Sequence, residues 1–304
     1  MAARAEYAMG DTFSTYHPIV NFLYFVLVLT FAMVFMHPAC LVISLVCAFS
    51  YSIYLNGKKA IRFGYVFMLP MMIITALLNP AFNHGGATIL SYLPSGNPLT
   101  LESILYGLAS GMMMIGVISW FSCFNAVITS DKFVYLFGRI IPALSLILSM
   151  SLRMVPRFKA QIKVISNAQR CIGRDVSNGS VLQRMKHGIR ILSIMVTWAL
   201  ENAIETADSM KSRGYGLQGR TAFSIFRFDS RDRAALLYLL ISGAYVIVGA
   251  LAGGLYFRYF PTTKGNTLSL YSISLFVVHA ALCLMPLVLN IREDFKWIAI
   301  RSGI

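Results

Sequence analysis

Six apolar segments, each close to the length of a membrane span, restrict this chain to the folds that are open to a membrane protein. They lie at about residues 19–36, 39–55, 61–79, 100–123, 234–257 and 268–290. A helix needs roughly 20 largely apolar residues to cross the hydrocarbon of a bilayer. Charged residues make up only 12% of the chain, whereas soluble domains contain roughly 25%. The sequence therefore predicts an all-α, polytopic membrane helical bundle with six spans.

The distribution of positive charge predicts the orientation of these spans. The connection between the second and third segments is short and carries Lys58, Lys59 and Arg62, whereas the connection at about 80–98 has no Lys or Arg. Short loops rich in Lys and Arg stay on the cytoplasmic side of a membrane. We therefore expect the N-terminus and the C-terminus to lie in the cytoplasm.

A long basic insertion separates the fourth and fifth segments. Residues 150–233 contain 15 Lys and Arg against 6 Asp and Glu, and so supply nine of the fourteen net positive charges of the chain. The positive-inside bias and anionic lipid headgroups account for this charge without nucleic acid as a partner. The chain is predicted to have three parts: N-terminal transmembrane helices in 1–130, a cytoplasmic domain in 131–233, and C-terminal transmembrane helices in 234–304.

The insertion has the apolar periodicity of two long amphipathic helices. The first begins at Pro142, and the second runs from about 181 to 212. Apolar residues recur along both at three- and four-residue steps, among them Leu148, Leu152 and Val155 on the first helix and Leu192, Val196, Ala199 and Ala203 on the second. The fold expected here is a cytoplasmic pair of long amphipathic helices.

Each of these helices ends in a short, Arg-containing tip beside glycine. The first tip is Arg170-Cys171-Ile172-Gly173-Arg174, and the second is Ser212-Arg213-Gly214, followed by Tyr215 and Gly216. Glycine with positive φ commonly ends a helix, which would hold Arg213 at a C-terminal end. Two interpretations are open. The tips dock into grooves of a partner, or the helices lie on the inner leaflet and Arg213 offsets the helix dipole.

The charged residues argue against other functional classes. Of the twelve acids only Glu102 touches a span, at its outer end, and ion-coupled carriers usually need ionisable groups inside the bilayer. A self-sufficient secondary transporter is kept as the alternative, because carbonyls and neutral side chains can bind Na⁺. A lipid-modifying enzyme lacks support, since the chain has no GxSxG, HExxH or Walker A motif and no metal-ligand spacing. We expect no catalysis, no cofactor and no metal site in this chain.

The helix pair and its tips resemble the transmembrane T component (EcfT/CbiQ family) of energy-coupling factor (ECF) transporters, which are importers of the ABC class. That family has short X-Arg-Gly signatures at the ends of two coupling helices. Ser212-Arg213-Gly214, within ENAIETADSMKSRGYG, matches the second signature. Ala168-Gln169-Arg170 resembles the start of the first signature, AQRxRG, but Ile172 stands where that family has arginine. Either Arg170 or Arg174 supplies the charge, or the first docking point is weakened.

The resemblance implies a non-catalytic subunit in a prokaryotic cell membrane. Two cytosolic ABC ATPase subunits, which bind the ATP, would grip the tips, and a membrane-embedded, substrate-binding S component would pack on the apolar stripes. The docking residues implied are Arg170, Cys171, Ile172, Gly173, Arg174, Ser212, Arg213 and Gly214, and the S-component-facing residues are Leu148, Leu152, Val155, Leu192, Val196, Ala199 and Ala203. The complex would import a vitamin or a metal ion.

Overall fold

The computed structural model describes residues 11–92, 98–138, 142–177, 179–215, 226–265 and 269–302. These residues form the helices α1 (Pro18–Val34), α2 (Pro38–Asn56), α3 (Lys58–Phe63), α4 (Leu69–Phe82), α5 (Leu101–Val127), α6 (Ser130–Gly138), α7 (Pro142–Cys171), α8 (Val181–Ser212), α9 (Ser230–Leu251) and α10 (Leu270–Ser302). Two short antiparallel hairpins pair β1 (Ile89–Tyr92) with β2 (Pro98–Thr100), and β3 (Phe257–Arg258) with β4 (Lys264–Gly265). The chain divides into two compact units, Met1–Thr129 with Phe226–Ile304, and Ser130–Ile225.

Five helices within the described residues are long and apolar enough to cross a membrane: Pro38–Asn56, Lys58–Phe82, Leu101–Val127, Ser230–Leu251 and Leu270–Ile300. The second of these joins α3 and α4 through a π-helical turn, Gly64–Met68. The first predicted span is α1, an apolar helix of 17 residues, which is roughly 26 Å long and at the lower limit for a span. The prediction of an all-α, polytopic membrane bundle is confirmed.

Two helices differ from their predicted bounds. Helix α9 ends at Leu251 rather than 257, because Gly253 takes a φ of +80° and turns the chain. Helix α10 continues to Ser302 instead of ending at 290. Its extension is charged, with Lys296 Nζ lying 3.1 Å from Glu293 Oε2 one turn away, so a search for apolar residues alone misses it.

The start of α9 also lies ahead of its predicted position. The backbone N–H of Asp229 donates to the Asp232 carboxylate at 3.0 Å, and the two residues form a capping box that begins the helix at Ser230. A capping box satisfies amides that the first turn leaves unpaired. Residues 226–233, which were predicted to belong to the cytoplasmic part, belong to the same compact unit as the membrane helices.

Helix α5 packs against α1, α2 and α4 in the core of the membrane unit. Trp120 on α5 is fully buried, and its Nε1 donates to Ser44 Oγ of α2 at 3.0 Å. A Cβ added to Gly107 would lie 3.0 Å from the Ala76 carbonyl oxygen of α4. Small residues let membrane helices approach closely, and Gly107 therefore sets the distance between α4 and α5.

The segment before α1 is tied to three helices of the membrane unit. The Phe13 N–H donates to Asn290 Oδ1 of α10, and the His17 N–H donates to Asp232 Oδ1 of α9, both at 3.0 Å. The Tyr51 hydroxyl of α2 donates to Asp11 Oδ2 at 3.0 Å. These bonds satisfy buried polar groups, and they place the start of the described chain beside the C-terminal half of α2 and of α10.

Candidate docking site on the two long helices

The second unit is built around α7 and α8, which pack as an antiparallel pair. Phe158 of α7 contacts Trp198 of α8, with ring centroids 5.7 Å apart, and Met154 contacts Asn202. Residue numbers therefore rise along one helix as they fall along the other. Ile165, Ile191 and Met195 form the buried centre of the contact.

Trp198 is the largest side chain in this contact. Its ring lies edge-to-face against Phe158, and the Arg157 guanidinium lies 5.5 Å from its centroid. Aromatic pairs and cation–π contacts each add about 0.5–1.5 kcal/mol to apolar burial. The two long helices are therefore clamped together about half-way along their length.

The predicted stripe of α8 does not make the contact with α7. Ile191 and Met195, which the stripe omits, are buried against α7, whereas Leu192 and Val196 are 61% and 58% exposed. By helix geometry the two apolar faces of α8 lie roughly 110° apart. The structure adds a second apolar face to the predicted stripe, because a period near 3.6 does not distinguish adjacent faces of one helix.

The same division is present on α7. Phe158 and Ile165 face α8, while Leu152 and Val155 of the predicted stripe are 37% and 48% exposed and Leu148 is half-buried. The outward stripe lies roughly 95° around the helix from the contact face. Among the α8 residues assigned to the S component, Ala203 is exposed and Ala199 is half-buried.

The outward stripes of α7 and α8 lie on the same side of the pair. Both helices are right-handed, and they run in opposite directions. On each helix the stripe residues follow the contact residues by one position in the sequence, as Leu192 follows Ile191 and Val155 follows Met154. Rotations of this kind bring the two stripes to one side. The seven residues predicted to face an S component therefore share one apolar surface, which we call the platform: Leu148, Leu152, Val155, Leu192, Val196, Ala199 and Ala203.

A cleft separates the N-terminal half of α7 from the C-terminal half of α8. Its volume is about 1380 Å³. Three flexible methionines are among its lining residues, Met150 and Met154 on α7 and Met210 on α8. Methionine adapts to irregular partners, so the walls of this cleft can repack when the helices shift.

Helix α7 ends in a Schellman motif. The Gly173 N–H donates to the Arg170 carbonyl at 3.0 Å, and the Arg174 N–H donates to the Gln169 carbonyl at 2.9 Å. Gly173 has a φ of +77°, the left-handed conformation that this motif requires. Ile172 is thus the last residue before the chain turns away.

Helix α8 ends in the same motif. The Gly214 N–H donates to the Lys211 carbonyl at 3.0 Å, the Tyr215 N–H donates to the Met210 carbonyl at 3.1 Å, and Gly214 has a φ of +74°. The prediction that Gly214 ends the helix and leaves Arg213 at its C-terminus is confirmed. Gly216, for which the same conformation was expected, lies outside the described residues.

The two tips lie at opposite ends of the helix pair. A short connection, 172–180, joins the C-terminus of α7 to the N-terminus of α8. Within it Ser180 caps α8 through a capping box with Gln183. Because α8 has 32 residues, its two ends are roughly 48 Å apart. The arrangement offers two separate contact points to a partner of matching width.

The charges at the two tips are arranged differently. Arg213 is exposed, and within the described part of the chain its guanidinium makes no hydrogen bond or ion pair. At the first tip Arg170 Nε lies 3.4 Å from Asp175 Oδ2. Hydrogen bonds from the Ser177 hydroxyl and N–H, aided by the Arg170 charge, hold the pKa of Asp175 below its usual range. Asp175 therefore stays charged at neutral pH.

The cysteines distinguish the first tip from the remainder of the chain. Cys40, Cys47, Cys123 and Cys283 are buried, whereas Cys171, beside Ile172, is exposed. Within the described ranges, no group of three or more His, Cys, Asp or Glu residues could hold a metal ion. Cys171 therefore provides a native thiol that reports on contacts at the first tip.

Comparison with known proteins identifies the family. The CbiQ family, described as cobalt transport protein, matches residues 12–223. Similar proteins include the energy-coupling factor transporter transmembrane protein EcfT of Lactobacillus helveticus, 34% identical over 99 residues that cover 32% of this chain and 36% of that protein. The protein of the same name from Lactococcus lactis subsp. cremoris is 34% identical over 106 residues, covering 34% and 40%.

A third relative aligns over a longer stretch. The energy-coupling factor transporter transmembrane protein EcfT 1 of Listeria monocytogenes is 27% identical over 212 residues, which cover 64% of this chain and 75% of that protein. The chain thus spans only 36–40% of the length of the first two relatives. The family match includes both tips and covers well over half of the chain. The chain belongs to the CbiQ family of transporter membrane proteins, as the resemblance to the T components predicted.

Proposed function

We propose that this chain is the scaffold of an ECF-type ABC importer. Two cytosolic ATPase subunits bind and hydrolyse ATP and dock on the two tips, and a substrate-binding S component packs on the platform. The chain itself transmits motion from the ATPases to the S component, and the catalysis takes place in the ATPases. The S component determines whether the cargo is a vitamin or a metal ion. The observation that carries this proposal is the pair of glycine-ended tips at opposite ends of one antiparallel helix pair.

Arg213 makes the ATPase contact at the second tip. Its side chain is exposed at a helix end, where a planar guanidinium can donate several hydrogen bonds to carboxylates or carbonyls in a groove. Gly214 follows it without a Cβ, so the partner can approach the backbone closely. Within the described residues Arg213 forms no ion pair, so docking breaks none there.

The platform binds the S component through apolar contact. Leu192 and Val196 are more than half exposed, and Val155 is 48% exposed. Exposed apolar surface of this extent marks an interaction site, and a membrane-embedded partner has the apolar surface that matches it. The helical contact around Trp198 leaves the platform free for that partner, because the contact and the platform occupy different faces.

The pair of helices couples the two kinds of partner. Each tip ends one helix, and the clamp at Trp198 holds the helices together near their middle. When the ATPases close on ATP, the tips approach, and the helices rotate about this clamp. The platform then tilts and carries the S component with it, which moves the substrate inward.

The proposed orientation places both termini in the cytoplasm. Lys58 and Lys59 follow α2 directly, at the end where Tyr51 binds Asp11. Asn290 of α10 lies at the same end of the membrane unit, bonded to Phe13. The positive-inside bias assigns this end to the cytoplasm.

The proposal is tested by charge reversal at one tip. The chain is expressed with the ABC ATPase subunits encoded in the same genome and purified in detergent. We expect Arg213→Glu to lower the co-purified ATPase from two subunits to one for each copy of this chain, because the first tip still holds its own subunit. Arg190→Glu, which reverses an exposed charge in the middle of the same helix, is the matched control and should retain the ATPases.

Membrane and transport assays separate the other interpretations. If the helices only lie on anionic lipid, Arg213→Glu and Arg190→Glu should weaken binding to anionic vesicles equally. The amount of co-purified ATPase should then be the same for both variants. If the chain is a secondary transporter, proteoliposomes that contain it alone accumulate substrate. We expect no accumulation without the ATPases and the S component, and uptake that depends on Arg213 with them.

A further inference from the structure

The two tips have the same backbone but present different side chains. In each Schellman motif one residue lies between the last helical residue and the positive-φ glycine, and it is Ile172 in α7 and Arg213 in α8. Cys171 and Ser212 are equivalent in the same way. Since the hydrogen-bond pattern is shared, the side chains of Ile172 and Arg213 project from their helix ends in the same manner.

We infer that the first tip is an apolar docking element, and that the ATPase groove that receives it has an apolar pocket where the other groove has acceptors for Arg213. This inference rests on the proposed function. Ile172 is 60% exposed, and a partner that covers it gains apolar burial. The two ATPase grooves are therefore chemically different, and each tip selects its own groove.

The neighbouring arginines do not restore the missing charge. Arg170 lies two residues before Ile172, roughly 200° around the helix, and its Nε is 3.4 Å from Asp175 Oδ2 across the turn. Arg174 follows Gly173 and occupies the place that Tyr215 has at the second tip. Neither guanidinium stands at the position of Arg213.

The different chemistry predicts a different response to salt. Raising the ionic strength from 0.1 to 1 M shortens the screening length from roughly 10 Å to 3 Å, which weakens a contact that depends on Arg213. Apolar burial does not depend on charge. Docking at the second tip should therefore weaken with salt, whereas docking at the first tip should persist.

Maleimide labelling measures each tip separately in the assembled complex. Cys171 is the exposed thiol of the native chain, and its protection by the ATPases reports docking at the first tip. The double variant Cys171→Ser, Ser212→Cys moves the thiol to the equivalent position of the second tip. Both positions are exposed, so neither exchange opens a cavity, although Ser212→Cys weakens the hydrogen bond from the Ser212 hydroxyl to the Ser209 carbonyl.

We expect protection at position 212 to require at least tenfold more ATPase at 1 M than at 0.1 M NaCl, and protection at Cys171 to change less than twofold. Ile172→Ser should reduce protection at Cys171 roughly tenfold or more, without an effect at position 212. Ile172→Arg should make protection at Cys171 as salt-sensitive as at position 212.

Two contrary results have different meanings. Equal salt sensitivity at both tips of the native chain, or an unchanged Cys171 signal in Ile172→Ser, would show that Arg170 or Arg174 makes the contact and would overturn this inference alone. Absence of ATPase-dependent protection at both positions would overturn the proposed function and this inference with it.

Discussion

Replacement of Gly173 by alanine tests whether the left-handed residue builds the first tip. Gly173 has a φ of +77°, and a Cβ placed there would meet nothing within 4 Å. Backbone strain is therefore the sole effect of Gly173→Ala. An L-residue in this conformation costs about 1–2 kcal/mol, which corresponds to roughly a 5–30-fold increase in local opening of the helix end.

Hydrogen–deuterium exchange of the purified chain measures this opening without any partner. The N–H groups of Gly173 and Arg174 are bonded to carbonyls of α7, so they exchange only when the motif opens. We expect both to exchange roughly 5–30 times faster in Gly173→Ala. Gly173→Asn should cause less than half of this change in free energy, because asparagine tolerates the left-handed region.

A second glycine provides the matched control. Gly188 lies inside α8, and a Cβ there would also meet nothing within 4 Å, but its φ is negative. Gly188→Ala should slow exchange in α8, since alanine is more favourable than glycine in a helix by about 1 kcal/mol. Two results would contradict the prediction that backbone conformation forms the tip. One is equal amide exchange at the tip in Gly173→Ala and Gly173→Asn. The other is that Gly173→Ala, like Gly188→Ala, does not accelerate exchange.

Three further outcomes are expected. Trp198→Ala should destabilise the packing of α7 against α8 by about 2 kcal/mol, which is half the cost of removing a fully buried ring. Trp198→Phe should cost less than half as much. If hydrogen exchange in α7 and α8 is equally fast in the two variants, the Trp198 ring does not hold the helices together. Asp232→Ala removes the carboxylate that accepts hydrogen bonds from the N–H groups of His17 and Asp229, which costs about 1–3 kcal/mol and should lower the melting temperature in detergent by roughly 2–5 °C. Asp232→Asn keeps an acceptor and should lower it less. The lowered pKa of Asp175 means that its stabilisation of the 172–180 turn is present above roughly pH 4 and is lost as the pH falls below that value; Ser177→Ala should raise this pKa in a carboxyl-carbon NMR titration, and an unchanged titration would contradict the assigned cause.

Much of the fold follows from hydrophobic length and from glycine. The apolar segments predict the membrane helices because hydrocarbon demands internally bonded backbone over a defined length. The end of α8 follows from Gly214, whose preference for positive φ is local. Helix α10 was predicted too short, since Arg292, Glu293, Asp294 and Lys296 interrupt the apolar run before the helix ends.

The candidate site was less predictable because it depends on tertiary contact. Apolar periodicity identifies a helix, but Ile191 and Leu192 are adjacent in sequence, and only packing shows that the first faces α7 and the second faces outward. The equivalence of Ile172 and Arg213 likewise depends on hydrogen bonds at two helix ends. Comparison with the X-Arg-Gly signature predicts a weakened first tip, because Ile172 replaces arginine. The hydrogen bonds of that tip are nevertheless the same as those of the second tip.

Native mass spectrometry of the complex counts the ATPase subunits that each copy of this chain binds. The chain is released from detergent after co-expression with the ATPases and the small membrane proteins of the same genome. We expect one copy of this chain with two ATPase subunits and one S component, and loss of one ATPase when Arg213 is changed to glutamate. A chain that carries no ATPase, or a complex whose composition is the same in Arg213→Glu, would contradict this expectation.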